Sequence, residues 1–191
     1  AVLNASTATD NVWVIEGATT SDELGRAVSF VGDINGDGLS DFAVSSVLID
    51  PDGKTSAGAT YVVFGVASTR LTIQASDLAN GQGGFIIKGS GANDSSGYDV
   101  SSAGDVNGDG FADLLVTAVG AESGAANTST SNGAAYLIYG GSFASSGTIV
   151  TGSGTVSGSS SAEALYGSTA ADTLSGGGGV DRFFAGNGND V

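Results

Sequence analysis

Two nine-residue acidic stretches carry the chemistry of this chain. They read Asp33-Ile34-Asn35-Gly36-Asp37-Gly38-Leu39-Ser40-Asp41 and Asp105-Val106-Asn107-Gly108-Asp109-Gly110-Phe111-Ala112-Asp113. Carboxylates stand at positions 1, 5 and 9, an amide at 3 and glycine at 6. Alternate residues of a tight loop can turn their oxygens inward. Calcium accepts about six to eight oxygens in flexible geometry, so this is ligand spacing for a hard cation. Without a cation, each close carboxylate pair costs about 1 kcal/mol in water and about 4 kcal/mol at an intermediate dielectric. The competing reading of one such loop is an acidic hairpin whose Asp and Asn side chains only form Asx-turns. Duplication of the whole pattern favours the metal reading.

An EF-hand shares the opening spacing but needs a bidentate Glu at its twelfth position, between two helices. Here that position is Val44 or Val116, inside an apolar run. The loop therefore closes on its ninth residue, as a strand–loop–strand turn. The expected ligands are side-chain oxygens of Asp33, Asn35, Asp37 and Asp41 with the main-chain carbonyl of Leu39. Their counterparts are Asp105, Asn107, Asp109, Asp113 and the carbonyl of Phe111. The loop glycines permit positive φ and close backbone approach.

The elements around the loops repeat as well. Trp13-Val14-Ile15-Glu16-Gly17 aligns with Phe85-Ile86-Ile87-Lys88-Gly89, and Phe42-Ala43-Val44 with Leu114-Leu115-Val116, both at an offset of 72 residues. Tyr61-Val62-Val63-Phe64-Gly65 aligns with Tyr136-Leu137-Ile138-Tyr139-Gly140 at an offset of 75. Each copy holds about four short β-branched or aromatic runs; in the first they are 12–15, 26–31, 42–48 and 60–64. Segments 45–58 and 117–133 read as loops. No helical periodicity extends over ten residues, although 70–80 has room for one short turn. Four short strands per repeat predict a propeller blade or a comparable all-β repeat. Trp13 and Phe85, at matched positions, are expected in the core. Leu3-Asn4-Ala5-Ser6 resembles Ile73-Gln74-Ala75-Ser76, which reads the chain as a piece of a longer protein.

After residue 145 a Gly/Ser-rich junction gives way to a nine-residue register. Glu163, Asp172, Asp181 and Asp190 fall nine apart; Leu165, Leu174 and Phe183 follow two residues after the first three, and Val156 precedes them in phase. Segment 176–184 fits G-G-x-G-x-D-x-U-x, in which U is a large apolar residue.

These motifs resemble two families. Ala103–Val116 with the closing Gly133–Gly140 resembles the FG-GAP repeats of integrin α-subunit β-propellers and of many secreted bacterial proteins, over roughly residues 12–141. The resemblance implies four-stranded blades with calcium in an inter-strand hairpin. The nonapeptide register resembles the RTX calcium-binding β-roll. There, Gly-rich turns and Asp carboxylates of stacked coils hold calcium, which implies Asp172, Asp181 and Asp190 as ligands. Asp172 would stand above Asp190 and Glu163 above Asp181. The expected architecture is all-β: two four-stranded propeller-type blades followed by the start of a parallel β-roll. The segments are 1–72, 73–145 and 146–191.

Composition narrows the function. Net charge is -15, from 20 acids and 5 bases. Such a chain lacks the basic surface that nucleic acid or an anionic membrane requires. No segment reaches the roughly 18 apolar residues of a membrane span. There is no cysteine to staple the fold and no histidine. The commonest general base and the usual zinc ligand are therefore absent. Oxygen ligands remain, and they suit calcium, magnesium or manganese. Serines are abundant, but no histidine or Ser-x-x-Lys arrangement is present to activate one, so no enzyme activity is expected.

The reading is a calcium-binding extracellular structural or adhesion module, secreted or displayed at a cell surface. The resemblance implies a large bacterial parent using type I secretion. Expected partners are calcium, and cell-surface or matrix ligands or neighbouring copies of the chain. Two alternatives stand: a non-catalytic accessory module of a secreted enzyme, and a tile of a surface layer or filament.

Overall fold

The computed structural model describes residues 13–67, 72–121, 131–141, 148–151, 155–158, 163–166, 171–177, 182–184 and 191. Over these residues the chain is all-β, apart from one short 3-10 turn and the five-residue helix α1 (Ala75–Ala79). The first half contains β1 (Val14–Glu16), β2 (Leu24–Gly32), β3 (Asp41–Ser46), β4 (Ala59–Val63) and β5 (Thr72–Gln74). After α1 come β6 (Gly84–Gly89), β7 (Ser96–Gly104), β8 (Asp113–Ala118) and β9 (Ala134–Ile138).

Strands β2–β3–β4 and β7–β8–β9 are two copies of one antiparallel meander. Even the irregularities recur. Register shifts fall between Leu24 and Val28 and between Phe30 and Gly32, then between Ser96 and Val100 and between Ser102 and Gly104. Strands β3 and β4 are rich in Val, Ala and Tyr, which fit a pleated surface buried on both sides. Neighbouring Val62 and Val63 point to opposite faces, and both are fully buried.

The strands form where the apolar runs predict them, but the sheets are assembled one strand out of phase with the sequence repeat. The run at 12–15 is expected to belong with 26–31, 42–48 and 60–64. Instead β1 leaves that sheet and pairs in parallel with β5. The fourth strand of the first sheet is β6, antiparallel to β4 from Ala59↔Lys88 to Val63↔Gly84. The physical reason is the outer edge of β4, a row of main-chain donors and acceptors that needs a partner. The chain leaves β4, turns through α1 and returns along that edge.

The two meanders stack face to face. Val31, Ile34, Ala43, Val62, Phe85 and Ile87 pack against Val100, Leu114, Val116, Tyr136 and Ile138 in one buried cluster. Phe85, expected in the core, is fully buried and contacts Phe64 at a ring-centroid distance of 5.8 Å. On the opposite face of the first sheet, β5 and α1 contribute Ile73 and Leu78 to a second cluster, with Trp13 and Ile15 at its margin.

The C-terminal region contains β10 (Thr148–Thr151), β11 (Thr155–Ser157), β12 (Glu163–Tyr166), β13 (Thr173–Ser175) and β14 (Arg182–Phe184). Strand β10 pairs in parallel with β6, and β12 and β14 follow it in the same seven-stranded sheet. Strands β11 and β13 pair in parallel in a separate sheet. Val156 therefore stands beside Leu174, and Leu165 beside Phe183. The nine-residue apolar register is dealt alternately to two sheets. Val150, Val156 and Leu165 form a small buried cluster with Leu174 against it, while Phe183 is half exposed.

Gly97 and Gly25 are counterparts, both with positive φ (86° and 97°), so alanine strains either backbone alike. A Cβ on Gly97 would lie 2.7 Å from Ser45 Cβ and 2.8 Å from Thr60 Oγ1, whereas one on Gly25 meets nothing within 4 Å. Gly97→Ala is expected to destabilise the protein more than Gly25→Ala, by about 1–3 kcal/mol, the usual cost of overpacking. Urea unfolding of the two variants measures the difference.

Candidate metal centres

Each acidic stretch is the hairpin loop between the first two strands of its meander. The first loop folds around Asp33. Asp33 Oδ1 accepts N–H groups of Gly36 (2.7 Å) and Asp37 (3.0 Å), and Oδ2 accepts that of Gly38 (2.8 Å). Asn35 Oδ1 accepts the Asp37 N–H at 3.0 Å, Asn35 Nδ2 donates to Asp37 Oδ2 at 3.0 Å, and Asp37 Oδ1 accepts the Leu39 N–H at 2.8 Å. The second loop repeats every bond. Asp105 accepts from Gly108, Asp109 and Gly110; Asn107 accepts from Asp109 and donates to it; Asp109 accepts from Phe111. Gly36 and Gly38 have φ of 79° and 84°, Gly108 and Gly110 76° and 90°, which lets successive N–H groups point inward.

The ninth residue does something else. Asp41 is fully buried, accepting the Ile34 N–H at 2.9 Å and the Gly65 N–H at 2.7 Å. Asp113 does the same with Val106 at 2.8 Å and Gly140 at 2.9 Å. Each carboxylate ties its own loop to the residue leaving the third strand of its meander. Burial pushes the Asp41 carboxyl above the ordinary 3.8; its two N–H donors oppose the rise, and the Asp37 and Asp33 charges add to it. The folded state then holds this proton more tightly than the unfolded chain. In the window above 3.8, stability therefore falls as pH rises and the carboxyl ionises. Nearby positive charge would oppose that loss.

The donors fit a hard cation. An ionised carboxylate offers about four lone-pair positions. Asp33 uses three of them on N–H groups, and Asp37 uses two. Among the described residues no group of three or more acidic side chains gathers closely enough to hold a metal ion. A coordination sphere here therefore needs the Asn35 and Asn107 amides and main-chain carbonyls beside the carboxylates. The Leu39 and Phe111 backbones lie in these loops, with their N–H groups held by Asp37 and Asp109.

The loops lie at the seam between meanders. The Ala112 N–H donates to the Asp33 carbonyl at 2.9 Å, and the Gly141 N–H to the Ile34 carbonyl at 2.8 Å. A Cβ on Gly36 would lie 2.4 Å from the Phe111 ring. Asp172, in the nonapeptide register, is buried, and its carbonyl accepts the Val191 N–H at 2.8 Å. Asp181 and Asp190 lie outside the described residues.

Two further carboxylates were missed in the sequence. Asp22 and Asp94, again 72 residues apart, are both buried. Asp22 accepts the Thr19 N–H at 3.0 Å and Asp94 the Gly91 N–H at 2.7 Å. Their matched offset was the available signal. Burial pushes the Tyr61 hydroxyl up to about 12, with the Asp22 charge adding to it. Burial likewise raises Tyr136, with Asp94 and then Asp172 adding.

Comparison with protein-family models identifies an FG-GAP repeat over residues 96–138, spanning β7, β8 and β9. It also identifies four copies of the RTX calcium-binding nonapeptide repeat over residues 157–191. A search of curated proteins finds no match to the chain. The chain therefore joins a repeat of the β-propeller class to RTX calcium-binding repeats, and calcium is the ion these repeats specify. Both kinds of repeat are typical of secreted or extracellular proteins, and such repeats are typically non-catalytic. No helix among the described residues is long and apolar enough to cross a membrane.

Asp41→Asn and Asp113→Asn place an NH2 group where a buried oxygen accepts an N–H. Each is expected to cost about 1–3 kcal/mol in urea unfolding of calcium-free protein. Tyr61 ionises at an ordinary 10 in the unfolded chain but near 12 in the fold, so stability is lost as pH rises through that interval. Tyr61→Phe is expected to flatten this alkaline loss, read as melting temperature against pH.

Proposed function

We propose that the chain is a calcium-dependent extracellular structural and adhesion module. In this reading residues 1–72 and 73–145 supply two propeller-type repeats, the second lending its first strand β6 to the first sheet, and residues 146–191 begin a parallel β-roll. The observation that carries it is the bond-for-bond identity of the two acidic loops, placed where one meander meets the next. On binding, one ion draws Asp33, Asn35, Asp37, Asp41 and the Leu39 carbonyl together around it, and a second does the same with Asp105, Asn107, Asp109, Asp113 and the Phe111 carbonyl. In the roll, Asp172, Asp181 and Asp190 are the proposed calcium ligands. Parallel pairing of strands at alternate nonapeptides supports a roll.

Folding is the proposed mechanism. At low calcium the loop carboxylates repel, and their N–H network alone must hold each hairpin. The bound ion supplies positive charge that cancels this repulsion. Asp41 and Asp113 pass the ordering of each loop to the following strand through Gly65 and Gly140. Extracellular calcium-binding modules have dissociation constants of about 0.1–1 mM. Binding to the folded state alone adds about 2.7 kcal/mol per site at a hundredfold excess over the dissociation constant. Such a chain stays unfolded inside a cell and locks after export, which suits a type I route. The adhesive surface addresses cell-surface or matrix ligands.

Calcium titration into chelated protein is expected to release heat, raise the melting temperature and increase β-sheet circular dichroism. Absence of all three rejects the reading. Asp37→Ala and Asp109→Ala are each expected to remove about one bound ion. Unchanged stoichiometry in both variants places the ions elsewhere.

A further inference from the structure

We infer that Asn107 is a site of spontaneous covalent modification. Attack by the Gly108 main-chain nitrogen converts its side-chain amide to a carboxylate, whereas the same step at Asn35 is held back by the neighbouring meander. The inference rests on main-chain chemistry and on packing at the seam, and it goes beyond the calcium reading.

Each acidic loop contains an asparagine followed by glycine, Asn35-Gly36 and Asn107-Gly108. Asparagine is a thermally labile residue. A glycine after it carries no Cβ to shield the main-chain nitrogen or restrict its swing toward the side chain. Water is the only co-reactant. The Gly108 N–H gives up its proton to water, and the nitrogen bonds to Cγ of Asn107. The Cγ–Nδ2 bond breaks, and the departing nitrogen takes up a proton and leaves as ammonia, which closes a succinimide ring. Water then opens the ring. Cleavage at Cγ leaves aspartate. Cleavage at the main-chain carbonyl leaves isoaspartate, in which the main chain runs through the side chain.

The two asparagines share their near neighbours, so a difference between them comes from tertiary structure. Both lie in D-x-N-G-D-G. Asn107 Oδ1 accepts the Asp109 N–H at 3.0 Å, Nδ2 donates to Asp109 Oδ2 at 2.9 Å, and the Gly108 N–H donates to Asp105 at 2.8 Å. Asn35 and Gly36 repeat these bonds. The attack needs such bonds opened, so its rate follows the free energy of opening the loop. Here the loops part. The seam grips the first loop beside its Asn-Gly pair: the Asp33 and Ile34 carbonyls accept N–H groups of Ala112 and Gly141, and the Phe111 ring lies against Gly36. It grips the second loop at Phe111 and Ala112, beyond the pair. The Asp105 and Val106 carbonyls receive no comparable main-chain bond among the described residues. A Cβ on Gly108 would meet nothing within 4 Å. Val106 is 55% exposed where Ile34 is fully buried, and Asn107 is exposed where Asn35 is half-buried.

Conversion weakens the loop that undergoes it. Aspartate at position 107 removes the donor to Asp109 Oδ2 and sets another carboxylate against it. Isoaspartate lengthens the main chain between Asp105 and the Gly108 and Gly110 N–H groups that its carboxylate accepts. Ageing of the fold therefore begins at the β7–β8 hairpin.

The test is incubation of the chain in calcium at neutral pH, followed by peptide mass mapping. The Asn107 peptide is expected to gain the mass difference between amide and acid about tenfold faster than the Asn35 peptide, the factor that one seam hydrogen bond supplies. In urea the two rates are expected to converge, because the flanking residues match. Equal rates in the folded protein overturn the inference, as does faster conversion at Asn35. So does an Asn107 that keeps its amide in the folded protein while both asparagines convert in urea. A difference that persists in urea overturns the seam as its cause.

Discussion

Each three-stranded meander is apolar on both faces and open at its outer edge, so none can stand alone. Val62 and Val63 show the constraint within two residues: they face opposite sides, and both are fully buried. A strand of this kind needs a layer above, a layer below and a neighbour alongside. The chain meets that need in three ways. It stacks the second meander on one face, lays β5 and α1 against the other, and closes the edge of β4 with β6. Assembly one strand out of phase follows, because a strand taken from the next repeat also fastens the repeats together.

The acidic loops sit where this packing brings them. Their carboxylates are committed to main-chain N–H groups, which gives the loops a defined shape, and they retain lone pairs for a cation. The burial of Asp41 raises the cost of ionising it, and the charges of Asp33 and Asp37 add to that cost. A loop with this electrostatic debt at the seam between meanders makes the seam sensitive to any ion that settles there. The Ala112–Asp33 and Gly141–Ile34 main-chain bonds cross that seam, so order in one loop bears on the neighbouring meander.

The C-terminal strands extend the same sheet by other means. Strand β10 joins β6 in parallel, and β12 and β14 continue outward, while β11 and β13 form a second layer. The core between them is thin, resting on Val150, Val156, Leu165 and Leu174. Thin solenoid layers depend on stacked neighbours. Here the first neighbour is β6, a strand already held by β4.

Much of this was legible in the residues alone. Spacing marked both loops, the offsets of 72 and 75 residues marked the repeat, and the nine-residue register marked the C-terminal strands. Position 12, Val44 or Val116, excluded an EF-hand because a valine side chain cannot supply the bidentate carboxylate that loop requires. These features are local: periodicity, ligand chemistry and turn residues act over a few positions. Other decisions were not local. The membership of β6 in the first sheet, the parallel pairing of β1 with β5, and the burial of Asp22 and Asp94 depend on which surfaces meet. The ninth loop residue illustrates the division. Its type and spacing declared a ligand, while its role as a brace on Gly65 or Gly140 came only from the third strand arriving beside it. Sequence determined which groups this protein has and how often they recur. Tertiary packing decided which edges and faces they satisfy, because an unpaired strand edge takes its partner by proximity in space and not by position along the chain.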